Sequence, residues 1–167
     1  MPKWSISVEC LAPSPYIIIN YQGKKPFEVY KRVKDLLREV VQISSAWYFE
    51  NEFRWDITSD PRSFHIRVGG RSKYDAHTYV WYEITLRGSQ PSDINKPGNL
   101  TIKIFSQLVT EYNLNTPFRR STLYKLFLRI YNFLFYWRQR RKYVELCVRD
   151  TKRLEEAFRD LLKEISK

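Results

Sequence analysis

Alternation of apolar and polar residues with period two runs through the middle of this chain, and helical spacing marks much of the rest. Near the start, Trp4, Ile6, Val8 and Cys10 alternate with Ser5, Ser7 and Glu9, which predicts a half-buried strand. Pro13 and Pro15 interrupt it before an extended, Ile-rich run from Tyr16 to Tyr21, so one kinked strand or two short ones are expected. Pro26 suits a first helical position. Phe27, Tyr30, Val33, Leu37, Val40 and Val41 follow at helical spacing and predict a surface helix ending near Ile43.

The period then returns to two. Trp47, Phe49, Asn51, Phe53, Trp55 and Ile57 alternate with Tyr48, Glu50, Glu52, Arg54 and Asp56. After a turn around Asp60 and Pro61 come Phe64, Ile66 and Val68, with Gly69 and Gly70 expected to open a hairpin. The next strand places Tyr74, Ala76, Thr78, Val80, Tyr82, Ile84 and Leu86 on one face. The polar stretch Gly88 to Gly98, with Pro91 and Pro97, reads as a loop, and the last strand carries Leu100, Ile102, Ile104 and Leu108 on one face. Successive alternating strands joined by short turns predict an antiparallel meander with one covered face. The first helix is too short to cover it alone, which assigns that task to the C-terminal region.

From Pro117 onward the pattern is helical to the end, with a break expected near Arg138 to Lys142. In the second half, Val144, Cys147, Leu154, Phe158, Leu161 and Ile165 form one apolar stripe. In the first half, apolar residues run nearly all the way round. The fold class expected is α+β: a curved antiparallel sheet of about five or six strands on a long C-terminal helical region, with one helix near the N-terminus.

Length and composition change this picture little. A chain of 167 residues suits one domain, residues 1–167, and its 27 aromatic side chains (10 Phe, 5 Trp, 12 Tyr) argue for a packed core over disorder. Cys10 and Cys147 belong to no CxxC or Cys/His spacing, so neither a zinc site nor a disulfide framework is expected. Met1 to Cys10 lacks the apolar core of a signal peptide, and no uncharged run is long enough to span a bilayer. A cytoplasmic location is the expectation.

Charge changes the picture more. The formal net charge is +11, and residues 118–142 carry eight basic side chains with no Asp or Glu. From residue 143 onward six basic and six acidic residues cancel. The excess is therefore local, which favours an anionic partner. The cations Arg119, Arg120, Lys125, Arg129, Arg138, Arg140, Arg141 and Lys142, with Trp137 and Tyr143, are the candidate contact residues.

Catalytic chemistry finds little support. Asp75 and His77 stand two apart on one predicted strand face with Glu83, but this matches a solvated surface better than a triad. Glu50, Glu52, Asp56 and Asp75 are interleaved with Arg54, Arg67 and Lys73, which points to cross-strand ion pairing. No phosphate-loop pattern follows Gly69 and Gly70. No enzyme, metal or cofactor is expected.

The basic aromatic stretch admits three readings. It packs on the sheet and a partner helix, a homodimer included, while its cations snorkel. It binds nucleic acid, single strands before duplex, through Arg and Lys on phosphates and rings on bases. Or it lies on an anionic membrane surface. The order strand, helix, antiparallel strands, long C-terminal helix also resembles the START-like helix-grip superfamily, in topology only. The resemblance implies a space between sheet and helix for a hydrophobic small molecule. Trp47, Phe49, Phe53, Trp55, Phe64, Tyr74 and Tyr82 would line it opposite Leu123, Phe127, Ile130 and Leu134. The function expected is a non-enzymatic binding protein for an anionic macromolecule, nucleic acid ahead of membrane, with a helix-grip carrier as the alternative.

Overall fold

The computed structural model describes residues 2–93 and 95–166. Six strands, β1 (Lys3–Glu9), β2 (Tyr16–Gly23), β3 (Tyr48–Asp56), β4 (Arg62–Lys73), β5 (Thr78–Gln90) and β6 (Gly98–Asn113), form one antiparallel sheet. Helix α1 (Glu28–Val41) lies between β2 and β3, and α2 (Pro117–Arg120), α3 (Thr122–Tyr131) and α4 (Trp137–Ile165) follow β6. This is an α+β fold.

Strands β3 to β6 are joined in chain order, while β1 and β2 both pair with β6. Glu9 stands opposite Gln107 and Tyr16 opposite Phe105, so the two strands lie end to end along one edge. Cys10 to Pro15 loop out between them. Two short strands are thus the outcome of the two alternatives that the proline pair left open.

The inner face is built from Val80, Tyr82, Ile84 and Leu86 of β5, Ile102, Ile104 and Leu108 of β6, and Ile66 and Val68 of β4, all fully buried. Two helices cover it. Helix α1 contributes Val29, Val33, Leu37 and Val41, an i, i+4 stripe. Helix α4 contributes Cys147, Thr151, Leu154, Phe158, Leu161 and Leu162. Each large side chain so buried is worth roughly 1.5–3 kcal/mol of transfer free energy. Thr151 keeps its hydroxyl satisfied inside this layer through Ser106 Oγ at 2.9 Å and the Cys147 carbonyl at 2.7 Å.

Several sequence expectations are corrected. Strand β4 runs straight through Gly69 and Gly70, and the reversal comes at residues 74–77. These glycines serve close packing instead: a Cβ on Gly69 would meet the Trp81 ring at 2.8 Å, and one on Gly70 would meet Ile43 at 2.7 Å. Regular alternation in β3 also fails, because the register shifts between Glu50 and Glu52. The extra residue reverses the parity, so Phe49 stacks on Trp81 of the outer face while Trp55 and Phe53 pack toward Phe27 and Tyr30. The C-terminal helix is unbroken from Arg138 to Lys142; its interruptions fall at Ser121 and in a π-type turn, Asn132–Tyr136.

The two cysteines are joined as well. Cys10, in the loop between β1 and β2, is bonded to Cys147 of α4, with Cα atoms 5.9 Å apart and both side chains buried. Sequence spacing gave no sign of this, because the 137-residue separation is closed only by the packing of α4 on the sheet edge. A bond that closes so long a loop restricts the unfolded chain by about 5 kcal/mol in the chain-entropy account. We expect the denatured, unreduced protein to take up no thiol-alkylating reagent by mass spectrometry. Replacing both cysteines by alanine lowers unfolding free energy by several kcal/mol in urea, up to about that value.

Candidate functional site

The charged aromatic stretch forms an arm at one end of the sheet: α2, α3, the π-type turn and the first turns of α4. Its breaks have local causes. Pro117 occupies the first turn of α2, and Thr116 caps it by accepting from the Arg119 N–H at 3.3 Å. Ser121 has an extended backbone, and its hydroxyl accepts the Tyr124 N–H at 3.2 Å, so a new helix begins there. The π-type turn begins at buried Asn132, whose side-chain amide donates to the Leu128 carbonyl at 2.8 Å.

The arm is attached to the domain by few contacts. Leu128 is its one buried aliphatic side chain. Tyr112 of β6 donates to Asn132 Oδ1 at 3.5 Å, and Arg120 Nε donates to the Leu114 carbonyl at 3.1 Å. Tyr136 is the strongest tether. Its hydroxyl donates to Asp75 Oδ2 at 2.7 Å and lies within hydrogen-bonding distance of the Thr78 hydroxyl. The other Asp75 oxygen accepts the His77 and Thr78 N–H groups, each at 2.7 Å, and so holds the β4–β5 turn. Asp75 and His77 therefore meet through the His77 backbone N–H, as a turn and its anchor.

Most other large side chains of the arm face outward. Phe118, Leu123, Leu126, Phe127, Ile130, Tyr131, Phe133, Leu134, Phe135 and Trp137 are exposed, from 44% for Ile130 to 78% for Phe133. Four of these, Leu123, Phe127, Ile130 and Leu134, were expected to face the sheet. They do not, because the inner face is already filled by α1 and the second half of α4. Of the rings expected opposite them, Phe64 and Tyr82 are buried in the core, and Trp55 and Tyr74 pack against it. Trp47, Phe49 and Phe53 are exposed on the β3 side.

Among the candidate cations, Arg119, Arg120, Lys125, Arg129, Arg138, Arg141 and Lys142 are exposed. Arg141 lies 3.7 Å from Glu145, and the two side chains are largely in solvent. Arg140 differs. Its Nε and Nη2 are buried without an acceptor, and desolvation depresses its pKa while Tyr136 and Tyr112 oppose that change. Tyr143 turns inward, its ring 5.3 Å from that of Tyr74. Beneath α3 is an open cleft of about 290 Å³ lined by His77, Tyr112, Arg119, Tyr124, Tyr131 and Tyr136 among others. Of the acidic residues expected to form ion pairs, Glu52 does so, with Arg54 at 2.7 Å and Arg67 at 2.8 Å, whereas Glu50 accepts from the Tyr30 hydroxyl, Asp56 from Thr58, and Asp75 from Tyr136 and the turn N–H groups. The anchors Tyr136, Asp75, Thr78, Tyr112 and Asn132 were not singled out as a group by sequence pattern, although an Asp three residues before a Thr at a strand start is a turn signal.

No protein-family model matches the chain, and no curated protein matches it. A solved structure of a Staphylococcus aureus protein of unknown function is similar over 89% of this chain and 94% of its own, at 11% identity and a TM-score of 0.28. That likeness carries no functional argument. No helix of the described residues is long and apolar enough to cross a membrane.

Burial raises the Asp75 pKa, but hydrogen bonds from Tyr136 and from the His77 and Thr78 N–H groups outweigh it, leaving the group below its ordinary 3.8. A depressed carboxylate stabilises the fold above its unfolded pKa, and that contribution is lost as pH falls through the folded value. Tyr136→Phe should therefore raise the Asp75 pKa in a carboxyl NMR titration. It should also speed hydrogen exchange across residues 118–136, by about 1–2 kcal/mol of opening free energy, with the core unaffected.

Proposed function

We propose that this protein is a non-enzymatic binding module whose C-terminal arm docks on an anionic membrane surface. The observation that carries the reading is the joint exposure, within residues 118–142, of ten large apolar side chains and seven cations, in a segment without acids. An interfacial helix needs both: rings and aliphatic chains for the headgroup boundary, and Lys or Arg for anionic lipid. Long basic side chains can lie along the apolar surface while their charges reach the phosphates.

Single-stranded nucleic acid, placed first on sequence grounds, is the second reading. Exposed Phe133, Phe135 and Trp137 offer flat faces beside Arg138 and Arg141, as base stacking requires. What lowers it is the aliphatic share. Leu123, Leu126, Ile130 and Leu134 are exposed and give a base nothing to stack on. The helix-grip carrier has less support again, since Tyr82, Ile84, Leu154 and Phe158 are fully buried where sheet and helix would have to part around a ligand.

Flotation with phosphatidylserine vesicles should carry the protein upward, and neutral phosphatidylcholine vesicles should carry it poorly. At about 1 kcal/mol per charge, changing Arg138, Arg141 and Lys142 to Glu weakens binding at least about 100-fold. Phe133→Ser with Phe135→Ser weakens it at unchanged charge, which no purely electrostatic partner predicts. Absence of flotation, together with oligonucleotide binding that falls steeply from about 50 to about 200 mM salt, would put nucleic acid first. A dimer in sedimentation that Phe133→Ser dissolves, without flotation, would assign the arm to self-association.

A further inference from the structure

Another cationic site lies on the outer face of the sheet, beside the β4–β5 turn. Arg71 of β4 projects there between two rings, its guanidinium 5.2 Å from the centre of the Trp47 ring and 4.7 Å from that of Tyr79. Stacking of this kind holds a guanidinium flat and fixes the direction of its fork. Yet Arg71 makes no hydrogen bond or ion pair with any described residue, and its Nε is buried with no acceptor. The two terminal nitrogens of Arg71 are not buried and also have no acceptor among the described residues, so they are the donors open to the groove, while the buried Nε holds the guanidinium against the rings.

The nearby acids do not supply the missing acceptor. Glu111 is occupied by Lys3 Nζ at 2.8 Å and the Tyr79 hydroxyl at 3.0 Å. Asp75 is occupied by Tyr136 and by the two turn N–H groups. Lys73, exposed and without an ion pair among the described residues, lines the same groove as Arg71, together with His77, Lys3, Trp47 and Tyr79. The groove is open and measures about 420 Å³. Asp75 and Glu111 line the groove as well. Burial raises the Glu111 pKa, but hydrogen bonds from Lys3 and Tyr79 outweigh it, and the Lys3 and Arg71 charges help to lower it. The lining therefore carries Lys3, Arg71 and Lys73 against two carboxylates that are already hydrogen-bonded, a small cationic excess with one guanidinium pre-oriented.

We infer that the Arg71 groove is a binding site for a phosphate group, carried either by a soluble small molecule or by a lipid headgroup. A phosphate monoester near neutral pH carries close to two negative charges and several acceptor oxygens, which matches Arg71 and Lys73 acting together. Arg71 takes two oxygens through its planar fork, and Lys73 contributes a point charge. The site uses no residue of the basic arm and does not depend on the membrane reading.

Titration calorimetry with inorganic phosphate, and flotation with phosphatidylcholine vesicles containing phosphatidic acid, separate the two sources. The variants are Arg71→Gln, Arg71→Lys and the arm triple Arg138→Glu, Arg141→Glu, Lys142→Glu, each first checked for an unchanged thermal midpoint. Loss of phosphate affinity by about tenfold or more in Arg71→Gln, a smaller loss in Arg71→Lys and none in the arm triple assign the groove to a soluble phosphate. Loss confined to phosphatidic acid flotation, at unchanged phosphatidylserine flotation, assigns it to a headgroup. Equal behaviour of wild type and Arg71→Gln in both assays, or no binding in either, overturns the inference. Failure of the arm to bind phosphatidylserine leaves the calorimetric result standing.

Discussion

The structure depends on the burial of one face of a strongly alternating sheet. Strands β4, β5 and β6 present a continuous apolar surface from Phe64 to Leu108, and an antiparallel sheet with such a face is unstable until something dry lies on it. Helix α1 covers part of it with a four-residue stripe, and α4 covers the rest from Cys147 onward. That division decides everything about the C-terminus. At 29 residues, α4 is roughly 43 Å long, longer than the stretch it has to cover. Its first turns, with α3 before them, extend past the end of the sheet, where no core remains to receive their side chains.

The arm is therefore apolar without being core. Cores select apolar residues for burial, but Leu123, Phe127, Phe133 and Phe135 are exposed in the isolated chain. Their exposure costs solubility, and the local cations offset it by keeping the arm hydrated and like-charged. On this surface, charge and apolar area are interleaved. The same interleaving suits a boundary between water, phosphate and hydrocarbon. The tethers fit that situation. Tyr136 to Asp75 and Asn132 to Tyr112 fix the arm at one side through polar contacts, leaving its apolar side free.

Much of this fold was legible in the chain. The positions Val80, Tyr82, Ile84 and Leu86 announce their strand by period two, and Leu154, Phe158 and Leu161 their helix by spacing. What sequence pattern misassigned were the places where tertiary packing sets the rule. Gly69 and Gly70 look like a turn, yet they are strand positions emptied for Trp81 and Ile43. The β3 alternation reads as one face, yet the bulge at Asn51 sends Phe49 to the other side. A helix that is apolar nearly all round reads as one that lays Leu123, Phe127, Ile130 and Leu134 on the sheet, when here all four are exposed. Cys10 and Cys147 meet only through the docking of α4, and no local pattern encodes a contact across 137 residues.

The candidate sites divide along the same line. Charge runs are local, so the basic stretch could be found by counting; a pre-oriented guanidinium is not, because Trp47, Arg71 and Tyr79 come from a 3₁₀ turn and two strands. Seven arm cations in solvent are individually weak and act through their number. Arg71 is different in kind. Held between two rings, it has lost the rotamer freedom that an exposed arginine gives up on binding, and water has been removed from one of its donors. On the two readings proposed above, the diffuse field would collect anionic partners and the fixed fork, at the same end of the sheet, would select among them by geometry.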